Sequence, residues 1–447
     1  MSNMKTPICD FVEKYASSSA VRLHMPGHKG ASILGLEHLD ITEIQGADSL
    51  YEAEGIISQS EANAGEIFGS KTYYSTEGSS QCIKAMLYLF MLLAKMDGKT
   101  PVVAAGRNAH KAFHSAAALL DIDVEWIYPR KMETYLSCAL DGEDIKTFLK
   151  STNKKPTAIY LTSPDYLGKI CDIESISKVC KEEGIYLLVD NAHGAYLKFL
   201  PQSIHPIDLG ADICCDSAHK TLPVLTGGAY LHLAENVYSR VCEQVKNALV
   251  LFGSTSPSYL ILQSLDMANV YLENYRDRLS AFVKDVCAMK ERLQNHGYML
   301  YGDEQIKICI STKPYGYFGY EIADILLEKG IVCEFADSDF VVMMLTPENT
   351  DEDLDALEKA LLSIERRGAV LDSAPEFHKL HRALSIREAT FALAELISVD
   401  ECEGRIAAFV SAGCPPAVPV VVCGEVIDKE AISCMKYYKI DKCNVVK

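Results

Sequence analysis

A chain of 447 residues with 49% hydrophobic and 23% charged side chains can bury a large core and form more than one domain. Its formal net charge of −18 lacks the basic face that a nucleic-acid partner requires and disfavours anionic membrane surfaces. The longest apolar helical stretch, AMLYLFMLLA between Lys84 and Lys95, is too short for a membrane span of about 20 residues. The N-terminus has no apolar signal core. The 16 cysteines show no C-x-x-C or zinc-finger spacing and sit in apolar runs, among them Cys82, Cys214, Cys215, Cys309 and Cys333. These features predict a soluble cytoplasmic protein with buried thiols and no metal site.

In chain order, a short helix and an irregular RLHMPGHKG arm occupy residues 1–30. From about residue 65, helical and extended patterns alternate. SSQCIKAMLYLFMLLAKM reads as a helix, TPVVAAG as a strand, KAFHSAAALLDI as a helix, VEWIYP as a strand and GEDIKTFLKST as a helix. TAIYLTSP, IYLLVDNAHG and ADICCDSAHK read as strands that end in turns. Their unbroken apolar character predicts an α/β domain with a mostly parallel sheet buried on both faces. A single long helix is expected from about residue 258 to 296 as a connector. Shorter strands and helices follow, which predicts a smaller α+β domain. The tail from about Phe377 reads as two helices, then PPAVPVVVCGEVI and a final helix. The expected divisions are an arm over 1–30, a large domain over 31–290 and a small domain over 291–447.

The chemistry concentrates at strand ends, where open α/β sheets bind ligands. Asp190 closes IYLLVD, and Lys220 follows ADICCDSAH about thirty residues later, so one crossover can bring both to one sheet edge. Asp190 is either a turn cap or a carboxylate offered to a basic nitrogen. Lys220 is either a solvated turn residue or a lysine held for covalent chemistry. A Schiff-base lysine and an acid beneath a pyridinium nitrogen are the two groups that pyridoxal 5'-phosphate needs. TEGSSQ, with Gly78, Ser79 and Ser80, precedes a long helix and suits either a phosphate or an ordinary N-cap. His110 and His193 also follow strands, as structural hydrogen-bonders or as ring-stacking and acid–base groups.

The chain resembles the ornithine/lysine/arginine decarboxylase family of fold-type-I pyridoxal-phosphate enzymes, which share the aspartate-aminotransferase fold. The resemblance rests on HMPGHKG, ITEIQGADSLY, RNAHK, LTSPDYLG, LLVDNAHGAY, SAHKTLP, STSPSYLILQSLD and GRIAAF…CPPAVPVVVCGEVI, in family order over nearly the whole chain. It implies a seven-stranded-type sheet and a Schiff base on Lys220. Asp190 would be the pyridinium partner, and Ala192 would pack on the ring. His193 would lie near the ring hydroxyl and His110 would stack on the other face. Ser79, Ser80, Ser217 and His219 would hold the phosphate. Ser254 and Thr255 would reach the phosphate of a neighbouring subunit, so a homodimer with interfacial sites is implied. The implied reaction releases carbon dioxide from lysine, arginine or ornithine and returns a proton to the α-carbon, feeding polyamine biosynthesis. Transamination, a lyase step on another amino acid, or a catalytically altered homologue with a binding role are the alternatives.

Several residues depart from the family pattern. Glu77 precedes the phosphate glycine, where an anion disfavours phosphate unless it points away. Asp165, Leu167, Asn191, Tyr196, Cys414 and Ala417 also differ, and they put the substrate more in question than the cofactor. The extra N-terminal wing domain of the family's inducible members is not expected here, nor are their large ring assemblies. Glu425 is a candidate acid for a cationic substrate side chain, or else a surface residue.

Overall fold

The computed structural model describes residues 4–130, 134–376, 378–410 and 418–447, so Phe377, Cys414 and Ala417 lie outside the described residues. The larger sheet contains β1 (Lys71–Ser75), β2 (Val102–Gly106), β3 (Asp123–Ile127), β4 (Ala158–Thr162), β5 (Tyr186–Asp190), β6 (Ile213–Asp216) and β7 (Ala229–Leu233). Their spatial order is β1-β7-β6-β5-β4-β2-β3. The β2–β3 and β5–β6 pairs are parallel, whereas β7 runs antiparallel to both β1 and β6. The α/β class and the seven-stranded, mostly parallel sheet are therefore as expected. Every residue of β2, β6 and β7 is buried, which explains their unbroken apolar runs.

Helices alternate with these strands: α1 (Pro7–Ala16), α2 (Ile56–Phe68), α3 (Ser79–Met96), α4 (Lys111–Leu120), α5 (Gly142–Ser151), α6 (Ile173–Glu183) and the single turn α7 (Ala218–Thr221). Apolar positions on most sides of α3 match its burial: Cys82, Ile83, Met86, Leu87, Leu89, Phe90 and Leu93 are all inaccessible to solvent. A capping box starts α5, where Asp141 accepts the N–H of Asp144 and Asp144 accepts that of Asp141.

The chain divides into two compact units. The first comprises Met1–Pro101, Thr157–Tyr160 and Ile173–Arg278. Its core includes the helix Tyr259–Leu272, whose buried Asp266 accepts the N–H groups of Ile8 and Cys9 at 2.9 and 3.0 Å. That carboxylate satisfies two otherwise unpaired donors in the first turn of α1, where the helix dipole favours an anion. The predicted connector helix is interrupted. It splits into Tyr259–Leu272 and Tyr275–His296, because the Glu273 N–H bonds to the Val270 carbonyl three residues back and tightens the last turn.

The second unit comprises Val102–Pro156, Leu161–Asp172 and Leu279–Lys447. It contains an antiparallel sheet of β8 (Met299–Tyr301), β9 (Lys307–Ser311), β10 (Phe335–Ala336) and β11 (Phe340–Met344), in the order β10-β11-β9-β8. The tail differs from expectation. After the short helix Ile386–Phe391, residues read as a second helix form β12 (Ala394–Ser398). The chain ends not on the helix Lys429–Tyr437 but on β13 (Lys442–Val446), which pairs antiparallel with β12. The residue opposite Leu396 is Asn444, 48 positions on, and non-local pairing of this kind overrides local propensity.

Among the described residues no helix is long and apolar enough to cross a membrane. None of the described cysteines is in a disulfide, and all but Cys242, Cys287 and Cys333 are buried. Burial pushes the Cys82 and Cys180 thiols up to about 12 and those of Cys214 and Cys215 well above their usual range.

Candidate active site

Parallel pairing of β5 and β6 sets Asp190 opposite Cys215, so both strands deliver their carboxyl ends to the same edge. From the first comes the turn Asn191–Gly194, and from the second Ser217 and α7, which carries His219 and Lys220. Lys220 Nζ lies 2.9 Å from His193 Nε2, and both belong to the first unit. His193 is 5% exposed, so this pair meets in a largely dry setting.

Asp190 is 2% exposed. Its carboxylate accepts the Ala192 N–H at 3.2 Å and the Tyr160 hydroxyl at 3.3 Å. Burial nevertheless pushes its carboxyl up, with the charge of Lys220 working in the opposite direction. A buried acid held this way is stabilised by any cationic N–H brought against it. It caps no helix, but its bond to the Ala192 N–H caps the turn that follows β5, as the plainer reading expected.

The phosphate-type turn is rigidly held. Gly78, at φ +70, donates its N–H to the Gly227 carbonyl at 2.7 Å. Gln81 is no cap. Its Nε2 donates to the Tyr51 hydroxyl and the Leu249 carbonyl, and its Oε1 accepts from Ser75 at 2.6 Å. Neither Ser79 nor Ser80 caps α3, whose first turn has no side-chain cap. Ser79 instead accepts a hydrogen bond from the Ser217 hydroxyl at 2.8 Å, which joins this turn to the start of α7. His219 Nδ1 donates to the Gly228 carbonyl at 2.9 Å, which leaves Nε2 as the ring's free position. The chain thus offers hydroxyls and helix N–H groups suited to an anion. Glu77 is exposed, and its Oε1 accepts the Ser254 N–H at 3.4 Å, so this anion is drawn to the loop 254–256. Ser254 and Thr255 are both exposed.

Sequence reading missed a buried polar network beside this site. Asp216 accepts from His205 Nε2 at 3.0 Å, His232 Nε2 at 3.2 Å and Asn191 Nδ2 at 2.7 Å. All four side chains are fully buried. The departure at Asn191 therefore has a structural counterpart: the amide faces an acid supplied by the neighbouring strand. Only the polar letters C-C-D and A-Y-L-H-L inside buried strands signalled it. Tyr196 is buried in the 3₁₀ turn Ala195–Phe199. Among the described residues, His205–Asp216–His232 and His378–Asp428–Glu430 also have ligand atoms within 4.8 Å of one another.

The remaining predicted residues fall in the second unit. His110 is the N-cap of α4, its Nδ1 accepting the Ala112 N–H at 3.1 Å. Glu425 is neither a surface residue nor a free acid. It is 2% exposed and ion-paired with Arg107 at 3.1 Å, while Arg107 also donates to the Pro419 and Val420 carbonyls. Leu167 is fully buried in an apolar cluster. Asp165, 1% exposed, accepts the Ser137 hydroxyl at 2.5 Å and the N–H groups of Leu167 and Lys169. Burial outweighs these bonds and pushes its carboxyl from 3.8 up to about 6.

Between those values the folded chain holds a proton that the unfolded chain releases, so stability falls as pH rises from about 4 to 6. Asp165→Asn has no charge to bury. It is expected to be more stable than the native chain above pH 6 by about 1–3 kcal/mol, with the advantage vanishing near pH 4. Urea melts at pH 4.5 and 7.5 measure this, and an equal difference at both values would contradict it.

The family described as Orn/Lys/Arg decarboxylase, major domain, matches residues 6–315, and its C-terminal domain matches residues 376–443. The chain belongs to the Orn/Lys/Arg decarboxylase family. This decarboxylase is 29% identical to arginine decarboxylase of Bacillus subtilis (strain 168), over 97% of this chain and 93% of that one. It is 28% identical to arginine decarboxylase of Halalkalibacterium halodurans, over 96% and 92%. Lysine decarboxylase A from Pseudomonas aeruginosa superposes on the decarboxylase with a TM-score of 0.80 at 16% identity, covering 99% of this chain and 80% of that one. The Francisella novicida lysine decarboxylase gives 0.78 at 16%, covering 100% and 82%. These structural likenesses carry the fold, which is the aspartate-aminotransferase-like one expected.

Proposed function

We propose that this chain decarboxylates a basic amino acid, with pyridoxal 5'-phosphate held covalently by Lys220. The observation that carries the reading is the pairing of Lys220 with His193 beside the buried Asp190, on the ends of adjacent parallel strands. The residues fit the cofactor. Asp190, raised by burial, suits a protonated ring nitrogen. Ser79, Ser80, Ser217 and His219, with the helix N-terminus after Gly78, suit its phosphate. Ala192, with no side chain beyond a methyl, leaves room for a flat ring. When bound, the cofactor supplies an electron sink for the bond that breaks.

The chain's own part follows from these contacts. Lys220 Nζ would be the atom that holds the cofactor, and His193 Nε2, within hydrogen-bond reach of it, would hold or return a proton at that nitrogen. Asp190 stays ionised against the cation it faces. Exclusion of water from the strand ends strengthens both interactions. Relatives named arginine decarboxylase favour arginine as substrate over lysine and ornithine. The products would then enter polyamine biosynthesis.

We further propose a cytoplasmic homodimer with interfacial sites. Between residues 21 and 34, Val21, Leu23, Ile33 and Leu34 are each at least 79% exposed, apolar surface that association would cover. The exposed Ser254 and Thr255 suit a contribution to a neighbouring site. The large and small domains are proposed over 31–290 and 291–447. Cofactor-loaded protein incubated with arginine, lysine, ornithine and a panel of other amino acids is expected to release carbon dioxide and a primary amine from one basic substrate. A keto acid product, or no turnover on any basic amino acid, would overturn the activity. A sedimenting species of 49.3 kDa would overturn the dimer.

A further inference from the structure

Asn191 stands between the two halves of the proposed site without belonging to either. It follows Asp190 directly and precedes Ala192 and His193. Asp216 closes β6 and precedes Ser217, His219 and Lys220. A hydrogen bond of 2.7 Å from Asn191 Nδ2 to Asp216 Oδ1 ties one loop to the other, and the Asn191 N–H donates to the Cys215 carbonyl at 2.9 Å. The clip therefore has a main-chain and a side-chain component, and both join β5's turn to β6.

The orientation of the carboxamide is fixed from two sides. Asp216 Oδ2 is already occupied by His205 and His232, so Oδ1, otherwise met by the Cys214 thiol at 3.7 Å, is the oxygen left for Asn191. Burial works against the charge of Asp216, yet the two histidines prevail and keep its carboxyl well below the usual range. It remains an acceptor, and the amide must present its NH₂ to it. On the other side Gly194 packs so closely that a Cβ there would lie 2.0 Å from Asn191 Oδ1. That oxygen is buried with no hydrogen-bond partner. A single boxed rotamer is thus retained at the cost of an unsatisfied acceptor, which strength of packing alone does not require.

We propose that Asp216 and Asn191 are positioning residues, which lock the turn carrying Asp190, Ala192 and His193 in register with the turn carrying Ser217, His219 and Lys220. This inference rests on the cofactor reading above. Neither residue touches the cofactor in it. Their effect passes through the 2.9 Å spacing of His193 and Lys220 and the seat of Asp190. An acid and an amide are both required, in either order. Two acids would place like charges 2.7 Å apart, which cannot both ionise.

The test combines Asn191→Ala, Asn191→Asp, Asp216→Asn and the exchanged pair Asn191→Asp/Asp216→Asn. Each apoprotein is titrated with pyridoxal 5'-phosphate, its thermal midpoint is measured, and the visible band of the lysine-bound cofactor is recorded. Asn191→Ala leaves both histidines bonded to Asp216 but strips its Oδ1 of the amide donor, so the apoprotein is expected to fold with a midpoint lowered by a few degrees. It should bind the cofactor about tenfold to a hundredfold more weakly, with a displaced band. Asn191→Asp is expected to lose at least as much. The exchanged pair is expected to recover to within about threefold of native affinity, because it restores one donor facing one carboxylate. Native affinity and band position in Asn191→Ala would overturn the inference alone. So would an exchanged pair that folds yet binds no better than Asn191→Asp. A native protein that takes up no cofactor would overturn the function and this inference with it.

Discussion

Lys220→Ala is expected to leave no measurable decarboxylation, a loss of at least about 10⁴-fold. Alanine removes the only atom of this residue that can bond to a carbonyl carbon, and it removes the partner of His193 Nε2. The fold has little at stake. Lys220 is half-buried on a four-residue helical turn, and its N–H bond to the Ser217 carbonyl does not depend on the side chain. Carbon dioxide release should therefore vanish while the thermal midpoint stays close to native. Borohydride treatment of the native protein is expected to fix the cofactor on the peptide containing Lys220, and the variant should carry no label. Label on another lysine, or turnover in the variant, would remove the basis of the proposed mechanism.

Asp190→Ala is expected to weaken cofactor retention by about 10²–10³-fold and to slow turnover at saturating cofactor as well. Removing one partner of a buried charge pair costs about 3–5 kcal/mol, because the other is left uncompensated. Asp190 is buried, accepts from Tyr160 and Ala192, and is pushed up by desolvation, so it gains most from a cation brought against it. The Tyr160 hydroxyl and the Ala192 N–H would lose their acceptor together, which adds to the loss. Asp190→Asn keeps the shape and the acceptor oxygen but not the charge. It should retain more stability than the alanine variant and still bind the cofactor poorly. Unchanged kinetics in either variant would refute the assigned role.

Much of this arrangement could be read from the residues because it is local. Asp190 and Lys220 follow strands whose apolar runs are unmistakable, and their separation allows one crossover, so adjacency in a parallel sheet was a short step. Helix α3 coincides with its predicted stretch because its apolar positions are buried on most sides. Other features depend on partners distant in sequence and escaped detection. β1 and β7 pair antiparallel across 158 or so intervening residues (Tyr73 opposite Leu231), and the first is too short and polar to announce itself. The tail strands β12 and β13 define each other in the same way. Glu425 reads as a plausible substrate acid until Arg107, 318 residues away, is found against it. Asn191 looked like a lost acid because its compensating partner, Asp216, lies on the next strand. A one-dimensional pattern cannot express exchange of charge between two strands.

The distribution of thiols has a practical consequence. Most described cysteines are buried, and their protonated form is favoured, so they present no thiolate to an electrophile at neutral pH. Cys242, at the end of the helix Glu235–Val241, is the exposed one among the described residues. A maleimide dye should therefore attach there first in the native protein. That gives a fluorescent reporter on the first unit without engineering, and a reagent count rising above this single fast site would time the opening of the core.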